Sequence, residues 1–306
     1  MSVFFYLKLG QKISLDAMKP KYHQVYKTKP ALALEMIKQD MARGVDFDWI
    51  GGDGLYGHNT ELCNGLDELN CFFVLDVHKD EKVYLEEPKF EIPKTKLGKG
   101  RKPTKLQSNK EAVRLDKLVA SIPSNLWKKE TIRDTVKGKL VLLVHKQDVW
   151  KWDEKNKKAT KRVLIITKTT ETVPKIKYSI SNGKLDQYTH KEYAYFICQR
   201  YWVERTFDNA KNELGMSDYQ IRKWQSWHTH HALMMMASLY ITTQIVKHKE
   251  EVPLLSFRDA RILLVTKICA TQIEQEKRAQ QMLKRHKKRR ASIDYWYKKQ
   301  KEKLKS

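Results

Sequence analysis

Cysteine is scarce and unpaired in this 306-residue chain. Its four cysteines, Cys63, Cys71, Cys198 and Cys269, are scattered and form no C-x-x-C pair. Zinc sites and disulfide frameworks show short, regular cysteine spacings, so neither kind of site is indicated. This cysteine usage is in keeping with a reducing, cytoplasmic setting.

The chain also lacks an apolar run long enough to cross a membrane. The run 232–246 contains Ser, Thr and Gln, and it falls short of the roughly 20 residues that a spanning helix needs. We expect it to form a buried helix, with Met234, Met235 and Met236 in the core. The apolar residues 1–9 have neither a basic start nor a small-residue cleavage site, so they do not indicate a secretory signal.

Acidic residues are few relative to basic ones. Lys and Arg number 60 against 36 Asp and Glu, which gives a formal charge of +24. An excess of this size favours a polyanionic partner, nucleic acid first, because phosphate contacts supply most of the non-specific affinity for DNA. A generally basic surface without such a partner is the alternative.

Two segments concentrate the positive charge. Residues 94–110 carry seven basic side chains and no acid. They predict a loop that is disordered, or ordered only on a phosphate backbone, with Lys99, Arg101 and Lys102 as DNA contacts. Residues 271–306 carry thirteen Lys or Arg against four acids, which is typical of a solvated tail that contacts anions.

The first 78 residues predict an α/β sheet, because strands and helices alternate there. Strands are predicted at 2–7, 45–51 and 71–77, and helices at 31–42 and 59–69. Further β-like runs follow at 139–145, 162–168 and 177–184, the last with a hairpin signal at Asn182-Gly183. Helix returns at the capping box Thr189–Glu192 and continues to Leu214, with Gly215 as its terminator.

Asp53 lies in a segment that admits two chemistries, D-W-I-G-G-D-G-L-Y-G at 48–57. An acid at the end of an apolar strand is where a metal-dependent nuclease places a ligand. The same segment spells G-x-G-x-x-G with Gly52, Gly54 and Gly57, the dinucleotide-binding fingerprint, and Asp76 on the next strand could hold a ribose. However, the carboxylate of Asp53 would crowd a pyrophosphate, and the charge of +24 would be unexplained.

A charged stripe lies further along, where Arg200, Glu204 and Lys211 share one face of a predicted helix. A solvated face of ion pairs is the alternative, but the apolar side chains at 202, 203 and 207 indicate a packed helix. Glu204 with Asp53 could hold divalent cations, Mg²⁺ preferred because it is hard. Arg200 and Lys211 could then bind the flanking phosphates.

These motifs resemble those of the bacterial insertion-sequence DDE transposases. D-G-L-Y-G at 53–57 is similar to their second-Asp motif, and Arg200-x3-Glu204-x6-Lys211 to the signature of their Y-R-E-K-bearing group. Segments 28–37 and 215–230, the latter with Arg222, also resemble the family. The resemblance begins near Pro20 and is specific because both motifs occur together.

The resemblance implies a ribonuclease-H-like core and a two-metal reaction, with Mg²⁺ expected, that nicks DNA and joins its ends to a target. Asp53 and Glu204 would be the catalytic metal ligands, and Arg200, Lys211 and Arg222 would contact DNA. The implied regions are 1–78 for the first part of the core, 79–187 for a β-rich insertion with the basic loop, 188–250 for the Glu helix and core helices, and 251–306 for a basic helical tail.

The expected partners are DNA, as terminal inverted repeats and target, and a second copy in a synaptic complex. We expect no membrane partner, and a location in the bacterial cytoplasm near the nucleoid.

Two departures from the family pattern limit the expected activity. The signature tyrosine should stand at position 197, which is Ile197. The family's first catalytic Asp should lie on an earlier strand, and none of the acids before Asp53 is a convincing replacement: Asp16, Glu35, Asp40, Asp46 and Asp48. We therefore expect an N-terminally truncated core without strand-transfer activity. A non-catalytic DNA-binding remnant is the alternative, and a dinucleotide-binding enzyme using Gly52–Gly57 a less favoured one.

Overall fold

The structure is a computed structural model that describes residues 4–7, 27–93, 104–220, 222–269 and 272–303. The chain divides into two compact units. The first unit comprises residues 1–132 and 141–200, and the second comprises 133–140 and 201–306. The first is mixed α/β and the second is mainly helical, which confirms the predicted α/β class.

The described elements from the amino end to residue 121 are a mixture of strands and helices. They are β1 (Phe4–Leu7), α1 (Lys29–Ala42), β2 (Trp49–Gly52), α2 (Gly54–Gly57), α3 (Thr60–Glu68), β3 (Phe73–Val77), β4 (Lys82–Val83), β5 (Phe90–Glu91), β6 (Gln107–Ser108), β7 (Val113–Arg114) and α4 (Leu115–Ser121).

Long strands and then helices make up the rest. They are β8 (Lys128–Thr135), β9 (Gly138–Asp153), β10 (Lys158–Thr169), β11 (Ile176–Ser181), α5 (His190–Cys198), α6 (Arg200–Glu213), α7 (Trp224–Lys247), α8 (Phe257–Cys269) and α9 (Gln272–Lys303). Within the described ranges, none of these helices combines the length and apolar character that crossing a bilayer requires.

A seven-stranded sheet organises the first unit, in the order β1-β2-β3-β11-β10-β9-β8. β1, β2 and β3 are parallel to one another, and β11 joins β3 antiparallel. The strands from the 79–187 region therefore continue the same sheet as β2 and β3. β1 is at one edge of this sheet.

The core of the first unit lies against β2, β3 and β10. In β10, Leu164, Ile165 and Ile166 are all fully buried, as expected of an apolar strand covered on both faces. Ala33 and Ile37 of α1 and Leu66 of α3 belong to the same apolar cluster. Helix α1 begins where predicted, because Thr28 caps it by accepting a hydrogen bond from the Ala31 N–H, and Pro30 lies in its first turn.

The hairpin predicted at Asn182-Gly183 is wrong. β11 ends at Ser181 and helix α5 follows, so no second strand pairs across this turn. The Asn182 side chain instead donates to the carbonyl of Cys71 and to Asp67, and accepts from the N–H of Phe73. It thereby joins the end of β11 to the start of β3. The capping box predicted at Thr189 and Glu192 is confirmed.

The turn after β2 packs closely on β3. A methyl group added at Gly57 would lie 2.1 Å from the carbonyl oxygen of Asp76, and one added at Gly54 would lie 2.9 Å from the His78 ring. Only glycine leaves room for so close an approach of α2 to the neighbouring strand. The glycines of the G-x-G-x-x-G pattern therefore have a packing role that requires no bound dinucleotide.

Substitution Gly57→Ala should destabilise the first unit by about 2 kcal/mol, the usual size of a core overpacking penalty, because the added methyl group meets backbone. Chemical denaturation followed by circular dichroism measures this change. Leu55→Ala in the same turn is the matched control, since Leu55 is 46% exposed and should change little. Equal stability of the Gly57→Ala and wild-type proteins would contradict the packing role.

Helix α7 in the second unit is less buried than the sequence predicted. Met234 is buried, but Met235 and Met236 are 61% and 67% exposed. The expectation that all three lie in the core is therefore wrong for two of them. Three consecutive helical positions are about 100° apart, so they cannot share one face.

Asp259 joins the basic helix α9 to α8. Its side chain is 4% exposed and lies 3.2 Å from Arg285 and 3.3 Å from Arg289. Ser256 donates a 2.8 Å hydrogen bond to it at the start of α8. The tail is thus helical, as predicted, but part of its charge is paired inside the second unit rather than solvated.

The surroundings of Asp259 keep it ionised. Burial by itself would raise its pKa, but the Ser256 hydroxyl and the cations of α9 outweigh burial and hold the pKa below its ordinary value of 3.8. A carboxyl whose pKa is lowered by folding stabilises the fold above that ordinary value, and the stabilisation is lost as the pH falls through the folded value.

Substitution Asp259→Asn should therefore destabilise the second unit at pH 7 by about 2 kcal/mol, because it removes the buried carboxylate on which Arg285 and Arg289 converge. The difference from wild type should shrink as the pH falls below 4. Thermal unfolding of both proteins across this pH range measures it. Asp294→Asn is the control on the same helix, since the Arg290–Asp294 pair is exposed. A pH-independent difference would refute the ionic explanation.

Candidate functional site around Asp53

Asp53 stands at the carboxyl end of β2, directly after Gly52. Its Oδ1 accepts a 3.0 Å hydrogen bond from the Leu55 N–H, so Asp53 is also the N-cap of α2. In sheets of parallel strands, ligands bind outside the carboxyl ends of the strands. The carboxylate is therefore held at the edge of the sheet where a site is expected.

A buried ion pair fixes the turn behind Asp53. Lys151 of β9 donates to the Gly57 carbonyl at 3.0 Å and lies 3.2 Å from Glu81. The side chains of Lys151 and Glu81 are only 10% and 8% exposed. His58 pairs with the other oxygen of Glu81. This clamp joins residues that are far apart in sequence, so nothing in the motif at 48–57 could reveal it.

Asp76 lies beside Asp53 on the neighbouring strand β3. Ser179 of β11 donates a 2.7 Å hydrogen bond to Asp76 Oδ1, and Arg200 Nη1 lies 3.4 Å from Asp76 Oδ2. Burial raises the pKa of Asp76 and the Asp53 carboxylate adds to this, while Ser179, Lys177 and Arg200 oppose it. The two acids share one environment, because both line the same cavity.

The two acids line a cavity of about 640 Å³ in the first unit. Its wall combines these carboxylates with basic and apolar side chains: Asp53, Leu55, Asp76, His78, Lys79, Ile176, Lys177, Tyr178 and Arg200. Lys79 and Lys177 are exposed. The cavity thus has carboxylates in its wall and cations around them, a combination suited to a phosphodiester with a bound cation.

The carboxylates of this cavity meet some of the requirements of a site for a hard divalent cation, but not all of them. Carboxylate oxygens are the ligands that Mg²⁺ prefers. Across the described ranges, however, no group of three or more His, Cys, Asp or Glu is arranged to hold a metal ion. Asp53 can supply oxygen ligands, whereas both oxygens of Asp76 are engaged by Ser179 and Arg200.

The predicted site residues fall into different parts of the chain. Arg200 is the first residue of α6 and lines the cavity with Asp53. Glu204 and Lys211 follow on α6 at the predicted helical spacing, and both are exposed residues of the second unit. Arg222 is exposed just before α7. The predicted DNA contacts of the basic loop, Lys99, Arg101 and Lys102, lie outside the described residues.

Helix α6 forms around Glu204 as predicted, but the prediction that this helix is packed in a core is wrong. Of the residues of α6, all of them described, Ala210 alone is buried. Trp202 is 50% exposed, and with Tyr201 it lies against the guanidinium of Arg133, whose Cζ is 4.3 Å from the Tyr201 ring and 5.0 Å from the Trp202 ring. These aromatic residues therefore hold a cation rather than fill a core.

The sequence reasoning missed Ser179 and Lys177 and considered Asp76 only as a ribose ligand. The register of β3 with β11 brings them together, because Ser179 pairs directly with Asp76. The one available signal was the acid inside the apolar strand F-V-L-D-V at 73–77. A carboxylate on a buried strand requires a polar partner, but its identity depends on strand pairing.

Comparison with known proteins finds two similarities, to a protein family and to a transposase. Residues 11–139, which include Asp53 and Asp76, match the family described as DDE superfamily endonuclease. A probable transposase for insertion sequence element IS701 from Microchaete diplosiphon is 25% identical over 197 residues. That match covers 64% of this chain but only 42% of the relative's length. These matches agree with the resemblance drawn from the motifs: the chain is similar to DDE superfamily endonucleases and to a transposase of an insertion sequence.

Proposed function

We propose that this protein is a transposase-type chain that binds the DNA ends of an insertion sequence and supplies Asp53 to a divalent-metal site. The observation that carries the proposal is the position of Asp53, at the carboxyl end of a parallel strand and in a cavity with Arg200, Lys79 and Lys177. An acid surrounded by cations suits a substrate that is itself anionic. The formal charge of +24 supports the same class of substrate.

The proposed catalytic acids are Asp53 and Glu204. Glu204 is assigned from its motif, since helix α6 presents Arg200, Glu204 and Lys211 at the spacing that resembles the family signature. When bound, divalent cations, Mg²⁺ by preference, would activate the attacking oxygen and stabilise the leaving one. Arg200, Lys211 and Arg222 would bind phosphates on either side of the cut.

A ribonuclease-H-like core is the proposed framework. Three neighbouring parallel strands, β1, β2 and β3, with the candidate acid at the end of the middle one support it. The 79–187 region, proposed as the β-rich insertion, extends this sheet through β8–β11. We further propose that terminal inverted repeats and target DNA are the partners, that two copies meet in a synaptic complex, and that the protein works near the bacterial nucleoid.

A DNA-binding role without catalysis is the second candidate, and the acids before Asp53 favour it. Glu35 and Asp40 lie on α1, where they pair with Lys27 and Arg43. Asp46 and Asp48 are exposed in the connection before β2, and Asp16 lies outside the described residues. None of the four described acids lines the cavity with Asp53. We therefore expect that the 306-residue chain by itself binds DNA but does not transfer strands.

The protein should bind duplex DNA with an affinity that falls steeply with salt. Substitutions Lys211→Ala and Arg222→Ala should each weaken binding at every sequence and lower the salt slope by about one. Fluorescence anisotropy with labelled duplexes between 50 and about 200 mM salt measures both quantities. Lys155→Ala is the control, because Lys155 already pairs with Glu61. Salt-independent binding, or preferential binding of a dinucleotide, would exclude a DNA substrate.

The catalytic proposal is tested by incubating the purified chain with Mg²⁺ and duplexes from either flank of its gene. We expect stable binding without cleavage or end joining, since Asp53 and Asp76 are the only carboxylates of the described residues that line the cavity, and both oxygens of Asp76 are engaged. Asp53→Asn keeps the cap of α2, because Asn is also a good N-cap, but removes the charge. It should therefore abolish Mn²⁺ binding in a titration while leaving the fold intact.

Two outcomes separate the candidate functions. Cleavage of the flanking duplexes that disappears in Asp53→Asn would establish the nuclease and refute the purely DNA-binding role. Undiminished Mn²⁺ binding by Asp53→Asn would remove Asp53 from the proposed metal site.

A further inference from the structure

We propose that Asp76 is a positioning residue, which holds the guanidinium of Arg200 in the wall of the Asp53 cavity so that it can bind a DNA phosphodiester. This inference rests on the proposed function and deepens it. It assigns a role to an acid that the DDE-like motifs at Asp53 and Glu204 leave unexplained.

The contacts of Asp76 set its orientation. Asp76 and Ser179 are directly paired residues of the antiparallel strands β3 and β11, and Ser179 is fully buried. The Ser179 hydroxyl donates to Oδ1 at 2.7 Å, which turns Oδ2 toward Arg200 Nη1 at 3.4 Å. Two neighbouring strands of the sheet, whose own positions are fixed by backbone pairing, thus hold the carboxylate that Arg200 meets.

The location of the pair favours a role in binding over one in stability. The side chains of Asp76 and Arg200 are 17% and 31% exposed, and both line the cavity that contains Asp53. Each side chain keeps a solvent-exposed portion, so the pair can contact a ligand in this cavity. A guanidinium carries five N–H groups, so its contact with Asp76 through Nη1 is compatible with contact to a phosphate.

Asp76 is better suited to orient Arg200 than to bind a cation directly. Its two oxygens are engaged by Ser179 and Arg200, respectively. Asp53 has its Oδ1 bonded within its own turn and no cation partner within the described ion pairs, so it is the better ligand. The two neighbouring acids therefore have different roles: Asp53 faces the metal and Asp76 faces Arg200.

Because Asp76 carries a negative charge, the direction in which its removal changes DNA affinity tests the proposal. A negative charge in a DNA-binding cavity repels phosphate, so its removal should strengthen binding if Asp76 has no other role. If Asp76 positions Arg200, its removal should weaken binding instead. Asp76→Asn keeps the hydrogen bond from Ser179, since the amide oxygen also accepts, and therefore isolates the charge.

The experiment measures DNA affinity and its salt dependence for the full chain and its variants, with labelled duplexes and fluorescence anisotropy. Asp76→Asn should weaken binding about three- to tenfold and lower the salt slope by about one. Ser179→Ala leaves the net charge unchanged and should weaken binding in the same direction. Asp148→Asn is the matched control, an acid of the same unit paired with Lys161 at the surface, and its binding should not weaken.

A double-mutant cycle with Arg200→Ala supplies the decisive comparison. Once Arg200 is absent, Asp76→Asn should no longer weaken binding, because the residue that it positions is gone. Thermal unfolding of each variant confirms that the fold is retained. Binding by Asp76→Asn that equals or exceeds wild type, or a loss that persists without Arg200, would overturn the inference. Wild-type protein that shows no salt-dependent DNA binding would instead refute the proposed function itself.

Discussion

The position of Asp53 depends on one close contact, that of Gly57 with the backbone carbonyl of Asp76. Any side chain at Gly57 would collide with that oxygen, at 2.1 Å from the added methyl group. The contact fixes α2 against β3, and Lys151 locks the same turn from behind through the Gly57 carbonyl. Because the turn is held from both sides, the carboxylate of Asp53 is presented at a defined place on the sheet edge.

Charge is distributed differently in the two units. In the first, a few carboxylates lie among cations in a cavity, where Asp76 pairs with Arg200 and Asp53 caps its own turn. In the second, the buried carboxylate of Asp259 pairs with cations of the long basic helix α9. A chain with net charge +24 repels itself, so a buried acid that pairs with several cations offsets part of that repulsion.

The sequence predicted the starts of helices well, because these starts depend on contacts between neighbouring residues. Thr28 with Pro30 marked the start of α1, and the box Thr189–Glu192 marked that of α5, because capping involves only neighbouring residues. Predictions failed where the partner was distant. Asn182 suggested a hairpin but binds Asp67 and Cys71 across more than 100 residues of chain, at separations of 115 and 111. Met235 and Met236 are apolar but exposed, since their helical phase differs from that of Met234.

For the candidate site, the sequence by itself determined the motifs that resemble the family, the acid at the end of a strand, and the positive charge that favours an anionic partner. These follow from composition and from spacing along a single strand or helix. Only the tertiary structure decided that Asp76, Ser179 and Arg200 meet beside Asp53, and that Lys151 with Glu81 clamps its turn. The physical reason is strand pairing: the register of β3 with β11, and the place of β9 in the same sheet, bring together residues that no local pattern connects.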